Sequence, residues 1–278
     1  MKKKIVILIF SLPLFWGVER FAHAKTDGFA LVNITSPLRS NSKWEVENPA
    51  GWEEILKQEF SYLSCGAQCY VFASADGKYV LKFFKHQHMR IPPLLEKIPL
   101  PSQLDAYRSK KIEKKRALQE ATFSSMKIAY DNLKEETALI ALHLNKTDDL
   151  LSPITLKDKI GILHRIDPNQ FEFVLQKRGK LAYEEIEKFM AQDEKYKAEK
   201  LLRDALLLTQ KRIAKGIFDK DPDFKTNFGI VEGKLVQIDI GRFSKNRVDD
   251  PEELYRITRP LAAQFPQLFP PIYEEIFP

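Results

Sequence analysis

Lys82 lies inside the apolar run Tyr79-Val80-Leu81-Lys82-Phe83-Phe84. A charge on the inner face of such a strand is costly unless it meets phosphates or a carboxylate, and a slip in register would hand that position to Lys85. Upstream, Ser64-Cys65-Gly66-Ala67-Gln68-Cys69-Tyr70-Val71 sets small residues at 64, 66 and 69. Small side chains at a turn let an anion approach backbone N–H groups. Far downstream, Ile238-Asp239-Ile240-Gly241 ends an apolar strand on a carboxylate followed by glycine, a placement that can offer oxygen to a divalent cation. Between them, the polar loop 216–227 concentrates Asp219, Asp221 and Asp223 before Asn227, which reads either as a solvated turn or as a reactive site.

These residues need elements to hold them. Short β-type runs at Phe60–Leu63, Tyr70–Phe72 and Tyr79–Phe84, the last two divided by the turn signal Asp76-Gly77, predict a three-stranded meander. Pro92, Pro93, Pro99 and Pro101 forbid a long helix over 91–102, whereas the proline-free, charged stretch from Leu104 to about Leu144 predicts one. Ile160–Ile166 and Phe171–Leu175 flank Asp167-Pro168-Asn169 and predict a second hairpin. Helical periodicity returns over 183–215, with Leu201, Leu202, Ala205, Leu206 and Leu208 as its buried stripe. A last hairpin is expected from Phe228–Val231, Glu232-Gly233 and Leu235–Ile240.

Taken in order, these motifs and elements resemble the protein-kinase-like superfamily, as a compact and divergent member or a pseudokinase. The resemblance covers residues 60 to about 245. It implies an α+β, two-lobed fold with a small antiparallel-sheet N-lobe and a reduced, mostly helical C-lobe. It also implies ATP and Mg2+ as cofactors. Ser64, Gly66 and Cys69 fall in the three glycine places of the phosphate-covering loop, and Val80-Leu81-Lys82 matches the strand lysine that meets the phosphates. Glu120 is the implied helix partner of Lys82, with Glu113 as the alternative. Asp219-Lys220-Asp221 would take the His-Arg-Asp places, making Asp221 the catalytic carboxylate, while Asn227 and Asp239 would hold metal.

The sequence departs from the family in three respects. Aspartate replaces the usual histidine, six residues rather than five separate Asp221 from Asn227, and only one of the three loop glycines is present. Asp219 and Asp223 therefore stay open as the base. Only 37 residues follow Gly241 and no Ala-Pro-Glu motif appears, so a peptide acceptor is less well supported than nucleotide binding. The expected function is a kinase-like protein binding Mg-ATP and transferring phosphate to an unidentified acceptor. The alternative is an inactive scaffold, or a secreted effector.

Composition sets the outer bounds. At 44% hydrophobic and 29% charged residues, the 278-residue chain has ordinary globular composition. Lys2-Lys3-Lys4, the apolar run from Ile5 to Gly17 and Ala22-His23-Ala24 predict an export signal over 1–24, hence a periplasmic or secreted protein. Without that segment the balance falls from +6 to +3, which argues against a nucleic-acid surface. Residues 25–50 read as a leader or linker. Residues 51–278 then form the domain, with 51–178 as N-lobe and 179–278 as C-lobe. Cys65 and Cys69 either pair across a turn or remain free. The basic cluster Lys110 to Arg116 reads as a solvated helix face, and His86-Gln87-His88 as loop surface.

Overall fold

The computed structural model describes residues 16–92, 98–245 and 251–276. The architecture is α+β and two-lobed, as the kinase-like reading expects. Strands β1 (Glu59–Cys65), β2 (Cys69–Ser74) and β3 (Tyr79–Phe84) form the antiparallel meander. Helix α1 (Ser102–Leu133) follows. Strands β4 (Leu139–His143), β5 (Ile154–Lys157), β6 (Leu163–Ile166) and β7 (Phe173–Lys177) complete a seven-stranded sheet in the order β4-β7-β3-β2-β1-β5-β6.

Alternation assigns the sheet's two faces. One carries Phe60, Tyr70, Phe72, Phe83 and Phe173 into an aromatic core, and the other meets α1 through Phe84, Leu142 and Val174 against Phe123, Met126 and Leu133.

Two expectations are corrected here. The helix forecast to about Leu144 stops at Leu133; after a turn in which Ala138 adopts φ +53°, the run from Leu139 becomes β4 beside β7. A short apolar run fits both periods, and the open sheet edge decides it. The second hairpin does not form either. β6 pairs with β5 at one end of the sheet while β7 lies between β3 and β4 near the other. Their connection is a 3-10 turn in which Asp167 caps Asn169 and buried Asn169 bonds to Leu151, so the turn carries the chain across the sheet instead of folding it back.

The second lobe starts with β8 (Lys180–Leu181), α2 (Ala182–Ala191) and α3 (Lys195–Ala214), the two helices being split at Asp193, where φ is +56°. The chain continues with β9 (Phe218–Asp219), the hairpin β10 (Phe228–Val231) and β11 (Lys234–Gln237), and β12 (Phe243–Ser244), which pairs with β9. Glu232 and Gly233 both take positive φ, the backbone of a two-residue turn matched to strand twist. Helices α4 (Pro251–Gln264) and α5 (Phe269–Ile276) close this lobe, packing Ile257, Leu261 and Phe269 with Leu202 and Leu206 of α3.

The stretch 25–50 has little regular structure yet is bound tightly to the rest. Phe29 stacks edge-on against Tyr70 and Phe72, and Trp44 against Phe123. Asn48 exchanges two bonds with the backbone of Leu142, and Asn41 and Asn145 bond reciprocally. Most of the expected export segment, residues 1–15, lies outside the described residues; residues 16–26 are helical. No helix among the described residues is long and apolar enough to cross a membrane.

Candidate nucleotide site

A cavity of about 1330 Å³ separates the sheet from the second lobe. Cys69, Val71, Val80 and Lys82 line it from β2 and β3, because period-2 alternation puts them on one face. Asp219, Asp221 and Asn227 line it from the opposite side, with Asp239 and Gly241 at the end of the β11 segment. Residues 64 and 241, 177 positions apart, thus border one space.

Lys82 points into this cavity, and Lys85 does not take its place. The Lys82 ammonium donates to the carbonyl of Ile238 at 2.7 Å. Burial pulls its pKa below the usual lysine value, while the charge of Asp239 and then the Cys69 thiol oppose that pull. Lys85 donates instead to Gly66 O at 2.6 Å and to Cys65 Sγ at 2.8 Å, and lies over the Tyr70 ring, so it pins the turn from behind. Ser64 and Gly66 line the cavity with Cys69. A Cβ on Gly66 would come no closer than 3.9 Å to a neighbour, so local crowding does not require glycine there.

Glu120 is a correction. It is exposed, pairs with Lys43, and lies outside the cavity lining. The α1 face turned inward carries Thr122, Phe123, Ser125, Met126 and Ala129, which places Glu120 on the outer side, and α1 sends Met126 to the cavity. Among the described residues no α1 carboxylate reaches Lys82. Buried Ser125 ties the helix instead to the segment that follows β11 and to β12, donating to Ile240 O and accepting from Phe243 N at 2.6 Å.

The three aspartates of the loop are distinguished by their partners. Asp219 is buried and accepts from Gln237 Nε2 at 2.7 Å and from the Asp221 amide at 3.0 Å; Gln237 in turn accepts from Arg212. Asp223 caps the one-turn helix Phe224–Asn227 through the Lys225 amide and the Thr226 hydroxyl. Both have their oxygens engaged in shaping the loop. Asp221 is exposed to the cavity, with Arg242 at 3.5 Å as its ion-pair neighbour. Asn227 Nδ2 donates to Asp221 O, and the Asn227 carbonyl accepts from the amides of Ile238 and Asp239, so Asn227 ties the loop to the segment carrying Asp239. Asp239 keeps one oxygen on the Gly241 amide at 3.1 Å. The side-chain oxygens of Asn227 and Asp239 form the donor set available to a hard cation in this region.

Other cavity residues were not singled out from the sequence. The connection from Gln176 to Leu181 forms one wall, and Val71, Val80, Ile230 and Ile238 supply apolar surface. Strand alternation about Lys82 was the signal that could have found Val80 and, across the ladder, Val71. Gly229 is required: a Cβ would stand 2.9 Å from Ile238 and 3.3 Å from Lys180 O.

The two cysteines are free, and the β1–β2 register separates them. Cys65 faces Tyr70 as its cross-strand neighbour, whereas Cys69 lies opposite Phe84 on the other side of the sheet. His86, expected as loop surface, is buried with Nε2 3.0 Å from Glu172 Oε2. No cluster of three or more His, Cys, Asp or Glu placed to hold a metal occurs among the described residues.

No protein-family model matches the chain, and no characterised protein matches it by sequence. Solved structures that align with it include WbdD at 2.2 Å, 14% identical with a TM-score of 0.36, over 72% of this chain and 34% of that one. A second WbdD structure, described as a bifunctional kinase-methyltransferase, aligns at 15% identity and TM-score 0.32, over 71% and 33%. The Rv3197–erythromycin complex from Mycobacterium tuberculosis aligns at 14% and 0.36, over 81% and 56%. The chain spans about a third to just over half of these proteins' lengths. At such TM-scores the superpositions carry no argument about activity, and the site's own geometry carries the functional reading.

Proposed function

We propose that this is a kinase-like protein that binds Mg-ATP between its lobes and transfers the terminal phosphoryl group to an acceptor. The observation that carries this reading is that Lys82, Asp221, Asn227 and Asp239 border a single cavity between the sheet and the second lobe. The apolar walls at Val71, Val80, Ile230 and Ile238 suit a nucleobase, with the Gln176–Leu181 connection offering backbone groups at its edge. The phosphates would lie beneath the β1–β2 turn near Lys82. Asn227 and Asp239 would hold Mg2+, which would supply positive charge to neutralise the phosphates. Asp221 would accept the acceptor's proton. The expected export signal would place this activity outside the cytoplasm or, for a secreted effector, inside another cell.

One observation favours a second reading, a pseudokinase that binds nucleotide or partners without chemistry: no α1 carboxylate holds Lys82, whose amine is engaged by Ile238 O. The test uses purified protein. A rise in thermal midpoint with Mg-ATP that Asp239→Ala abolishes supports the site, because a ligand that binds only the native state must stabilise it. Labelled ATP then separates transfer from binding. No shift at millimolar Mg-ATP overturns the kinase reading and favours a scaffold that binds partners alone.

A further inference from the structure

A second cavity, of about 460 Å³, adjoins the first; Ala67, Gln68, Gly241 and Arg242 line both. Between them Gln68 Nε2 donates to Gly241 O at 3.0 Å. We propose that this second cavity is the acceptor site, and that the acceptor is a small hydroxyl compound carrying a phosphate or carboxylate on an apolar body. This proposal rests on the nucleotide reading above.

Charge and shape point to that ligand class. Of the twelve residues bordering the cavity, Lys85, His88, Lys220 and Arg242 are basic and none is acidic. Lys85 is occupied by Gly66 and Cys65, and Arg242 is shared with Asp221 just outside the lining, which leaves Lys220 as the freest cation facing the space. Burial holds His88 below its usual pKa, and the charges of Lys85 and Lys115 add to that shift. Apart from Gln68 and Thr122, the remaining surface is apolar, from Met89 and Phe243 in the core and Leu118 and Ala121 on α1. A bare inorganic anion would leave that surface unused, and a neutral apolar molecule would leave the cations unmatched.

The position suits transfer as well. Arg242 lies 3.5 Å from Asp221, so an anion on Arg242 and Lys220 sets its hydroxyl near that carboxylate. The acceptor O–H gives its proton to Asp221 and its oxygen attacks the γ-phosphorus of ATP. The new O–P bond forms as the bond from phosphorus to the β–γ bridging oxygen breaks, and ADP leaves with that electron pair.

Phenyl phosphate is the probe, titrated calorimetrically into the whole protein with saturating Mg-ADP present. Binding is expected, weaker for inorganic phosphate, about tenfold weaker in the Lys220→Ala/Arg242→Ala variant, as for losing a charge-assisted hydrogen bond, and absent in Ala121→Trp, which fills the cavity from an exposed helix position. No binding, or equal binding by wild type and both variants, overturns the proposal. If wild type shows no Mg-ATP shift in thermal midpoint yet phenyl phosphate binding follows this pattern, the nucleotide reading fails while the anion site stands. A normal nucleotide shift without phenyl phosphate binding refutes the anion site alone.

Discussion

Gln68 on the β1–β2 turn donates through Nε2 to the main-chain oxygen of Gly241, two residues after Asp239, so one hydrogen bond joins that turn to the segment that leaves β11. A Cβ on Gly241 would lie 2.0 Å from Gln68 Oε1, the mobile end of a side chain that can turn away. Gln68→Ala and Gly241→Ala should each cost about 0.5–1.5 kcal/mol, the worth of one such bond. The double variant should cost little more than either single, because both remove the same contact. A urea-denaturation cycle checks this, and full additivity would refute the link.

Ser125 bridges α1 to the Asp239 segment through two buried bonds. Ser125→Ala should destabilise the protein by about 1–3 kcal/mol, because Phe243 N and Ile240 O lose a partner away from water. Glu120→Gln, which alters only an exposed pair with Lys43, should stay within about 0.5 kcal/mol of wild type. Equal effects in thermal melts would contradict this assignment.

The roles of the loop aspartates separate by measurement. Asp221→Asn should lower phosphoryl transfer about 10²-fold or more with an unchanged melting profile. Asp219→Ala should lower the melting temperature, because it strips Gln237 and the Asp221 amide of their acceptor. Unfolding and turnover assays on both variants decide it.

Lys82 gives a signed pH dependence. Its folded pKa lies below the 10.5 of the unfolded chain, so between the two values the unfolded state binds more protons and stability rises with pH. As pH rises toward 9, wild type should gain stability relative to Lys82→Met. The upper bound matters because burial raises the Cys69 thiol to about 12 from 9.0, which works in the opposite direction above pH 9. Parallel denaturation curves for the two proteins at every pH would refute the depressed lysine.

The cysteines should respond to alkylation in sequence. Cys65, partly exposed, should be modified by iodoacetamide before Cys69, which is buried and holds its proton. Mild oxidation of the folded protein should leave no Cys65–Cys69 disulfide in a peptide mass map. A crosslink formed without unfolding would mean that the hairpin register shifts.

Much of this arrangement was legible in residue order. Lys82 could be placed because strand alternation fixes a face, and Asp239 because it follows a hairpin, although the strand expected to reach Ile240 stops at Gln237. The meander and last hairpin were legible for the same local reason, with Glu232-Gly233 as a turn of two residues at positive φ. What stayed hidden depended on distant partners. β4 is a strand because β7 offers an edge, and β6 leaves β7 for β5 although a turn lies between them. Glu120 was misplaced because a 32-residue helix with charges on several faces does not disclose which face docks. The three loop aspartates could not be told apart until Gln237, outside the loop, and Thr226, within it, engaged Asp219 and Asp223.

The docking of residues 36–48 has a consequence for how the molecule comes into being. Ser36 receives Lys146, Glu47 receives Tyr130, and Asn48 meets Leu142, partners made some eighty to a hundred and ten residues later. Synthesis therefore produces the opening stretch long before the surface it rests on, and long-range closures of this kind are slow steps in folding. Until roughly half the polypeptide has emerged, these partners are missing, and the opening stretch has no complete surface on which to settle.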